Sequence, residues 1–176
     1  MKRISLVMVA VLALGALSVQ SASKPTGIIK VPASILLELK VDNKPVAVPS
    51  GKELSMVTGT YIPASITAQV ADNAKREIWS ITSTGPFGKL AQIQIKEGET
   101  TAIDAGPPLT LKATVSKATT TPQGKVVRIN LQVFGKMGEQ YAPSTLRKGQ
   151  TVATAPQFQI VDEKGAILQQ GSFEYG

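Results

Sequence analysis

The chain of 176 residues contains no cysteine and no histidine, and aromatic residues make up only 5% of it. The absence of cysteine excludes disulfides, thiolate nucleophiles and thiolate metal ligands. The absence of histidine excludes imidazole from triads, zinc sites and acid–base catalysis near neutral pH. The catalytic groups that remain are carboxylates, lysine, serine and tyrosine. We therefore predict that the protein is not an enzyme and that it uses no cofactor and no metal.

Long apolar runs are confined to the N-terminus. Met1-Lys2-Arg3 precedes an apolar-rich stretch, residues 4–19, and the small residues 21–23 follow it. This order is typical of a secretory signal peptide. A membrane anchor helix is the alternative, but about 16 residues are short for a span of roughly 20. We assign residues 1–23 to a signal peptide, expect cleavage between Ala22 and Lys24, and predict a secreted or periplasmic bacterial protein.

Positive charge remains after removal of the signal peptide, but it is not clustered. The formal charge of +7 falls to about +5 when Lys2 and Arg3 are removed, and most remaining basic residues stand singly. Nucleic-acid-binding proteins concentrate lysine and arginine on one face. We predict no nucleic-acid partner, and only loose attraction to anionic surfaces or acidic polysaccharides.

Residues 126–134 (V-V-R-I-N-L-Q-V-F) alternate apolar and polar side chains, with Val127, Ile129, Leu131 and Val133 expected to point inward. A period of two is typical of a strand with one buried face. The pattern recurs in about ten short segments separated by turn residues, and no segment after residue 23 has a helical period. The sequence predicts an all-β protein, built as an antiparallel β-sandwich after an N-terminal signal helix.

Several segments carry more specific predictions. In residues 60–70 the alternation of apolar and polar side chains predicts a strand with one buried face. Pro63 lies within this strand and indicates an edge strand or a bulge, because proline has no N–H to donate to a neighbouring strand. We expect a strand over 89–95 and loops over 117–124 and 143–150. Gly106-Pro107-Pro108 predicts a boundary between two small sandwich-like domains, 27–104 and 105–176. The side chains that we expect on the buried face of the segment 60–70 are Ile62, Ala64, Ile66, Ala68 and Val70.

Three aromatic side chains are candidate ligand-binding residues: Tyr61, Trp79 and Phe87. Trp79 shares its strand face with Ile81, which favours a position in the core over a sugar-stacking platform. Tyr61 alternates away from Ile62, and Phe87 lies in a turn. We therefore expect Tyr61 and Phe87 to be the more exposed rings.

The twelve carboxylates fall mostly in turns or on polar strand faces. Calcium, which takes only oxygen ligands, is the ion that such residues suit best. The acidic turn clusters Asp42-Asn43, Asp72-Asn73 and Asp162-Glu163 do not match a calcium-loop pattern, and turn chemistry explains them. A hydrolase would need two carboxyl groups facing one cleft, about 5 to 10 Å apart.

Three short motifs resemble known bacterial surface modules. Residues 57–63 (V-T-G-T-Y-I-P) resemble the G-x-Y strand entry of prealbumin-like domains, such as carboxypeptidase-regulatory-like domains. Residues 95–101 (I-K-E-G-E-T-T) resemble the turn that often closes them. Residues 158–165 and 171–175 are similar to the last hairpin of bacterial immunoglobulin-like domains. The resemblance implies an exported, noncatalytic protein with a prealbumin-like sandwich at 27–104 and an immunoglobulin-like sandwich at 105–176.

Together these observations predict a noncatalytic structural or protein-interaction module of the bacterial cell envelope or extracellular space. Its partners would be an envelope or extracellular protein, a polysaccharide, or a second copy of the chain. The alternative is a carbohydrate-binding module that uses Tyr61, Trp79 and Phe87. A hydrolase with paired carboxylates is the third hypothesis.

Overall fold

The computed structural model describes residues 24–72, 77–122 and 124–174, so the predicted signal peptide lies outside the described residues. Within these ranges the protein is all-β, as predicted, with short 3₁₀ helices at Gly88–Leu90 and Pro143–Thr145. No helix in the described ranges has the length and apolarity needed to cross a membrane.

The strands are short, and most pair antiparallel. In chain order they are β1 (Thr26–Lys30), β2 (Ile35–Val41), β3 (Lys44–Val48), β4 (Glu53–Val57), β5 (Gly59–Ala71), β6 (Ile78–Ser83), β7 (Ile93–Ile95), β8 (Thr100–Ala102), β9 (Thr110–Val115), β10 (Thr119–Thr121), β11 (Gly124–Val126), β12 (Ile129–Phe134), β13 (Gln140–Tyr141), β14 (Arg147–Lys148), β15 (Thr151–Val152), β16 (Gln157–Val161) and β17 (Ile167–Ser172).

The largest sheet has the order β15-β14-β6-β5-β2-β3, and β7 pairs with the first part of β5. The turn between β2 and β3 is the one predicted at Asp42-Asn43. Both residues have positive φ, 49° and 62°. A two-residue hairpin turn requires such values when its twist matches that of the strands it joins, and asparagine and aspartate tolerate them.

A smaller sheet, with the order β4-β1-β8, supplies part of the same core; β1 and β8 are its parallel pair. The alternation in β2 is as predicted, because every second residue from Ile35 to Leu39 is buried and those between are exposed. Both sheets contribute to one hydrophobic cluster. Its isoleucine, leucine and valine members are Ile29, Val31, Ile35, Leu37, Leu39, Val48, Ile66, Ile81, Leu90, Ile93, Ile95, Ile103 and Val133.

The face predicted for residues 60–70 is wrong at Ile62, Ala64 and Val70, and an irregularity in β5 explains the first two. Glu38 pairs with Ser65 but Leu39 pairs with Pro63, so Ala64 is an extra residue in the ladder. An extra residue reverses the alternation beyond it. Consequently Pro63 is buried and Ile62 is 50% exposed, while Ala64 is half-buried.

Val70, also predicted to point inward, is 50% exposed because it lies beyond the last pair that β5 forms with β2, at Ala68. Of the two alternatives predicted from Pro63, the bulge is confirmed and the edge strand is wrong, because β5 lies between β6 and β2.

Two further segment predictions are wrong. The predicted strand over 89–95 begins as a 3₁₀ helix, and only Ile93–Ile95 is a strand, so Ala91 is exposed. The predicted loop over 143–150 contains a 3₁₀ helix and β14. Pairing with β6 orders β14, and a pattern two residues long carries no periodic signal.

Strand pairing and the core both cross residue 104, where the sequence predicts a domain boundary. Strand β14 pairs with β6, and the side-chain oxygen of Thr145 accepts the backbone N–H of Thr82 at 2.8 Å. Val133 and Tyr141 are members of the core that β1, β2 and β5 form. The division into two domains stays a prediction, and this shared sheet and core argue against it.

Strands β9 to β12 pair antiparallel, β9 with β12 and β10 with β11, and we call these four strands the ribbon (residues 110–134). The strand predicted over 126–134 is split: Val126 ends β11 and the next strand begins at Ile129. The predicted loop over 117–124 contains β10. Of the four side chains predicted to point inward, Val133 is buried, Ile129 and Leu131 are half-buried, and Val127 is 42% exposed. Beside this part of the ribbon lies an open groove whose other side is formed by β16, β17 and the residues after them, so alternation there does not produce burial.

Candidate functional site

The structure reverses the predicted exposure of the three aromatic candidates. Tyr61 is half-buried; its ring packs against the core and its hydroxyl donates to the carbonyl of Val57 at 2.8 Å. Phe87 is also half-buried against the core. Trp79, expected to favour the core, is 37% exposed. The prediction that Tyr61 and Phe87 are the exposed rings is therefore wrong, because strand β7 and the turn at 85–88 bring both rings onto the core.

Trp79 lies at the end of the buried face of β6, two residues before the buried Ile81. The Lys148 ammonium lies 5.7 Å from the centre of its ring, within the range of a cation–π contact. Lys148 also forms an ion pair with Glu77, with 2.8 Å between Nζ and Oε2. This hydrogen-bonded carboxylate raises the pKa of Lys148. One face of the only tryptophan is therefore occupied by a side chain of the protein.

An open cleft of about 500 Å³ lies beside Trp79 and Lys148. Its lining combines the indole ring, an apolar side chain at Val152 and the hydroxyls of Thr151 and Thr154. An apolar ring edged by hydroxyls and an ion pair suits an amphipathic ligand such as a sugar. Neither Tyr61 nor Phe87 lines this cleft, so the structure does not bring the three predicted ligand-binding residues together here.

Glu139 is the one fully buried carboxylate in the described part of the chain. Its oxygens accept three hydrogen bonds: from the backbone N–H of Gly106 at 2.6 Å, from the backbone N–H of Met137 at 2.9 Å, and from the hydroxyl of Tyr141 at 3.1 Å. No ion pair in the described ranges involves it. Backbone N–H groups can hold a buried carboxylate in place of a cation.

The bond from Gly106 fastens the turn at 135–139 to the segment that the sequence predicts as a domain boundary, while the other two bonds lie within the turn and β13. Lys136 adds two contacts to the same segment, a backbone hydrogen bond to Gly106 and an ion pair with Asp104 at 2.9 Å. Gly135 has no room for a side chain, because a Cβ there would overlap the Glu139 carboxylate. Glu139 is thus a structural clamp, and no substrate can reach its buried oxygens.

The sequence did not single out Glu139, because it is one of twelve carboxylates and follows a glycine-containing turn, as an ordinary solvent-exposed residue would. Its donors include Gly106, which is 33 residues distant in the chain, so no local pattern shows the bond. The one local signal is the pair of glycines at 135 and 138 directly before it.

The acidic turn cluster at Asp162-Glu163 has the turn chemistry that the sequence predicts. The Asp162 carboxylate accepts the backbone N–H groups of Lys164 and Ala166 at 2.9 and 2.8 Å. No group of three or more potential metal ligands occurs among the described residues. The cleft beside Trp79 is lined by one carboxylate, Glu77, so it does not supply the pair that a glycosidase requires.

The outer surface of β9 carries the most exposed row of apolar side chains on a single strand. Leu111 is 68% exposed and Val115 is 66% exposed, and Ala113 lies between them on the same face. Opposite Leu111, Ala113 and Val115 on β12 lie Val133, Leu131 and Ile129, respectively. Val133 is buried, and Leu131 and Ile129 are half-buried. The apolar face of this sheet therefore becomes uncovered towards its edge, where β9 lies.

The C-terminal hairpin, β16 and β17, exposes apolar side chains in a different arrangement. Ile167 and Leu168 are 56% and 65% exposed, but they are consecutive and point to opposite faces. Phe158 and Phe173 contact each other, with ring centres 5.3 Å apart, and line a groove of about 730 Å³ against the ribbon. The alternating apolar residues of β16, Phe158 and Ile160, line this groove beside the ribbon, whereas the apolar row of β9 is exposed.

Comparisons of the chain with protein-family models, with curated proteins and with solved structures found no match. The resemblance to prealbumin-like and immunoglobulin-like modules stays a prediction. The candidate sites are therefore defined by geometry alone: the cleft beside Trp79 and the exposed apolar edge of the ribbon.

Proposed function

We propose that the chain is a noncatalytic, exported protein-interaction module of the bacterial cell envelope or extracellular space, and that its contact surface is the edge strand β9. The observation that carries the proposal is the row Leu111, Ala113 and Val115, which is apolar, exposed and on one face. Soluble proteins seldom leave a long apolar edge unpaired, because it invites pairing with another chain.

The occupant that fits this edge is an extended segment of a partner protein. A strand added beside β9 would pair with its outward backbone groups, and apolar side chains at alternate positions would continue the apolar face. The N-terminal signal pattern supports export, and the absence of cysteine is consistent with a bacterial exported protein.

The test uses the full precursor expressed in a bacterial host. Mass spectrometry of the exported protein is expected to give a mature chain that begins between Ala22 and Lys24. The native size of the exported parent is then compared with that of Leu111→Ser and Leu168→Ser. Both leucines are similarly exposed, but only Leu111 belongs to the apolar row. We expect the parent and Leu168→Ser to migrate in a larger assembly and Leu111→Ser to migrate alone. Retention of the precursor without cleavage, or equal sizes for all three proteins, would contradict the proposal.

The alternative function, a carbohydrate-binding module, is supported by one observation, the exposed Trp79 ring in a cleft that also contains two threonine hydroxyls. We expect it to show as glycan binding that Trp79→Ala abolishes and that Tyr61→Phe leaves intact. Glycan binding that persists in Trp79→Ala would exclude this cleft as the site.

A further inference from the structure

Strand β9 is the last strand of its sheet, and it lacks the features that protect another edge of the molecule. The sheet order is β13-β12-β9, so one side of β9 pairs with β12 and the other side has no strand beside it in the described ranges. Edge strand β3, by comparison, contains Pro45, which cannot donate to a ladder. Strand β9 contains no proline and a single charge, Lys112, on its polar face.

The sequence of β9 is complementary to itself in one antiparallel register. Directly opposite residues of an antiparallel pair share a face. A twofold axis through Ala113 therefore places Leu111 opposite Val115 of the second copy, and Lys112 opposite the uncharged Thr114 of the second copy. The smallest side chain of the row, Ala113, then lies opposite its own copy, where two strands approach closely.

The neighbouring registers are worse. An axis through Lys112 would place two lysines directly opposite each other, and like charges in that position are destabilising. An axis through Thr114 would pair only residues 113–115 of β9, and Leu111 would lie opposite Lys117, beyond the end of the strand. A twofold axis that passes between two residues would place each odd-numbered residue of β9 opposite an even-numbered one. The apolar face of one copy would then continue as the polar face of the other.

We propose that two copies of the chain associate through β9, antiparallel about Ala113, to form a continuous sheet with the order β13-β12-β9-β9-β12-β13. The proposal rests on the proposed interaction function and names the partner. Each copy contributes a strand of six residues, so the interface is small. We therefore expect a weak dimer that dissociates on dilution.

The cysteine-free chain allows a direct test by disulfide trapping. The variant Ala113→Cys would place two thiols on directly opposite residues, with Cα atoms about 4.5–5.5 Å apart, within the range that a disulfide spans. The matched control is Thr110→Cys, which is also exposed on β9 but lies about 20 Å from its own copy in this register. We expect Ala113→Cys to form a covalent dimer at least about ten-fold faster than Thr110→Cys. Equal rates for the two variants would overturn the proposal.

A mixing experiment fixes the register. Leu111→Cys and Val115→Cys are expected to dimerise slowly when each is oxidised alone, and readily when the two are mixed, because these positions are opposite each other only between copies. Rapid dimerisation of either variant alone would exclude the axis through Ala113.

Charge provides a second measurement that needs no cysteine. Thr114→Lys places like charges opposite each other at both ends of the pair and is expected to abolish the dimer in sedimentation experiments, whereas Thr114→Glu, opposite Lys112, is expected to strengthen it. If these variants and the cysteine variants all behave as monomers while Leu111→Ser still changes the native size of the exported protein, the partner is a different protein and the interaction function stands.

Discussion

At the scale of single residues, Glu139 shows how a carboxyl side chain can be buried without an ion-pair partner. Three hydrogen-bond donors converge on its carboxylate, and two of them are backbone groups. A buried donor that loses its acceptor costs about 1–3 kcal/mol, because water cannot replace the lost bond. The clamp therefore contributes to stability chiefly through the donors that it satisfies.

The variant Glu139→Ala leaves these donors unpaired, and we expect it to lower the free energy of unfolding by about 2–4 kcal/mol in urea denaturation. Glu163→Ala, at an exposed turn position, is the control and is expected to change it by less than about 0.5 kcal/mol. Similar stabilities for the two variants would show that the carboxylate is not a clamp.

Tyr141 couples this clamp to pH. Burial, together with the Glu139 carboxylate that its hydroxyl contacts, raises the pKa of Tyr141 above its ordinary value of 10.0. A tyrosine in the unfolded chain ionises near pH 10 while the folded one keeps its proton, so the folded state binds more protons above that pH. The stabilisation that the raised pKa of Tyr141 contributes is complete below about pH 10 and is lost as the pH rises further. We expect the free energy of unfolding to fall above about pH 10, and less steeply in Tyr141→Phe; equal slopes would contradict this.

At the scale of elements, local patterns predicted those strands that lie on the core and failed where tertiary contacts decide. The alternation in β2 and the turn at Asp42-Asn43 followed from the sequence, because each depends on residues within a few positions. The bulge in β5 was indicated by Pro63, but the reversal of faces around it depends on the register with β2. Alternation also predicted burial for Val127, which the ribbon leaves exposed.

The 3₁₀ helix at Gly88–Leu90 requires a glycine for two separate reasons. Gly88 has a φ of +55°, and a Cβ on it would overlap the backbone of Met137 and Gly138. Gly98 has a similar φ, +68°, but open space around it. We expect Gly88→Ala to lower the free energy of unfolding by at least about 1 kcal/mol more than Gly98→Ala. Equal effects in chemical denaturation would mean that only the backbone conformation matters.

At the scale of the whole molecule, the two halves predicted from Gly106-Pro107-Pro108 share a sheet and a core. We therefore expect the described residues to unfold in one cooperative transition. Trp79, the only tryptophan, lies where β6 meets β14 and reports on that junction by fluorescence, while circular dichroism reports on all strands. Coincident midpoints are expected, and separate midpoints would support two independent domains.

The fold class followed from alternation and turn residues, but the candidate interaction surface did not. The sequence gives β9 the same alternation as a buried strand, and only the sheet order reveals that it lies at an edge. Likewise, the aromatic residues chosen from the sequence were ranked by alternation, whereas strand β7 and strand β14 decide which rings are covered.

The most direct test of the central claim is photo-crosslinking in the intact bacterial envelope. A photoreactive amino acid replaces Leu111 in one exported protein and Leu168 in another, two positions of similar exposure. We predict a discrete protein adduct from position 111, with the mass of two chains if β9 pairs with itself, and none of comparable yield from position 168. Equal or absent adducts at both positions would contradict the claim that β9 is the surface through which this protein binds its partner.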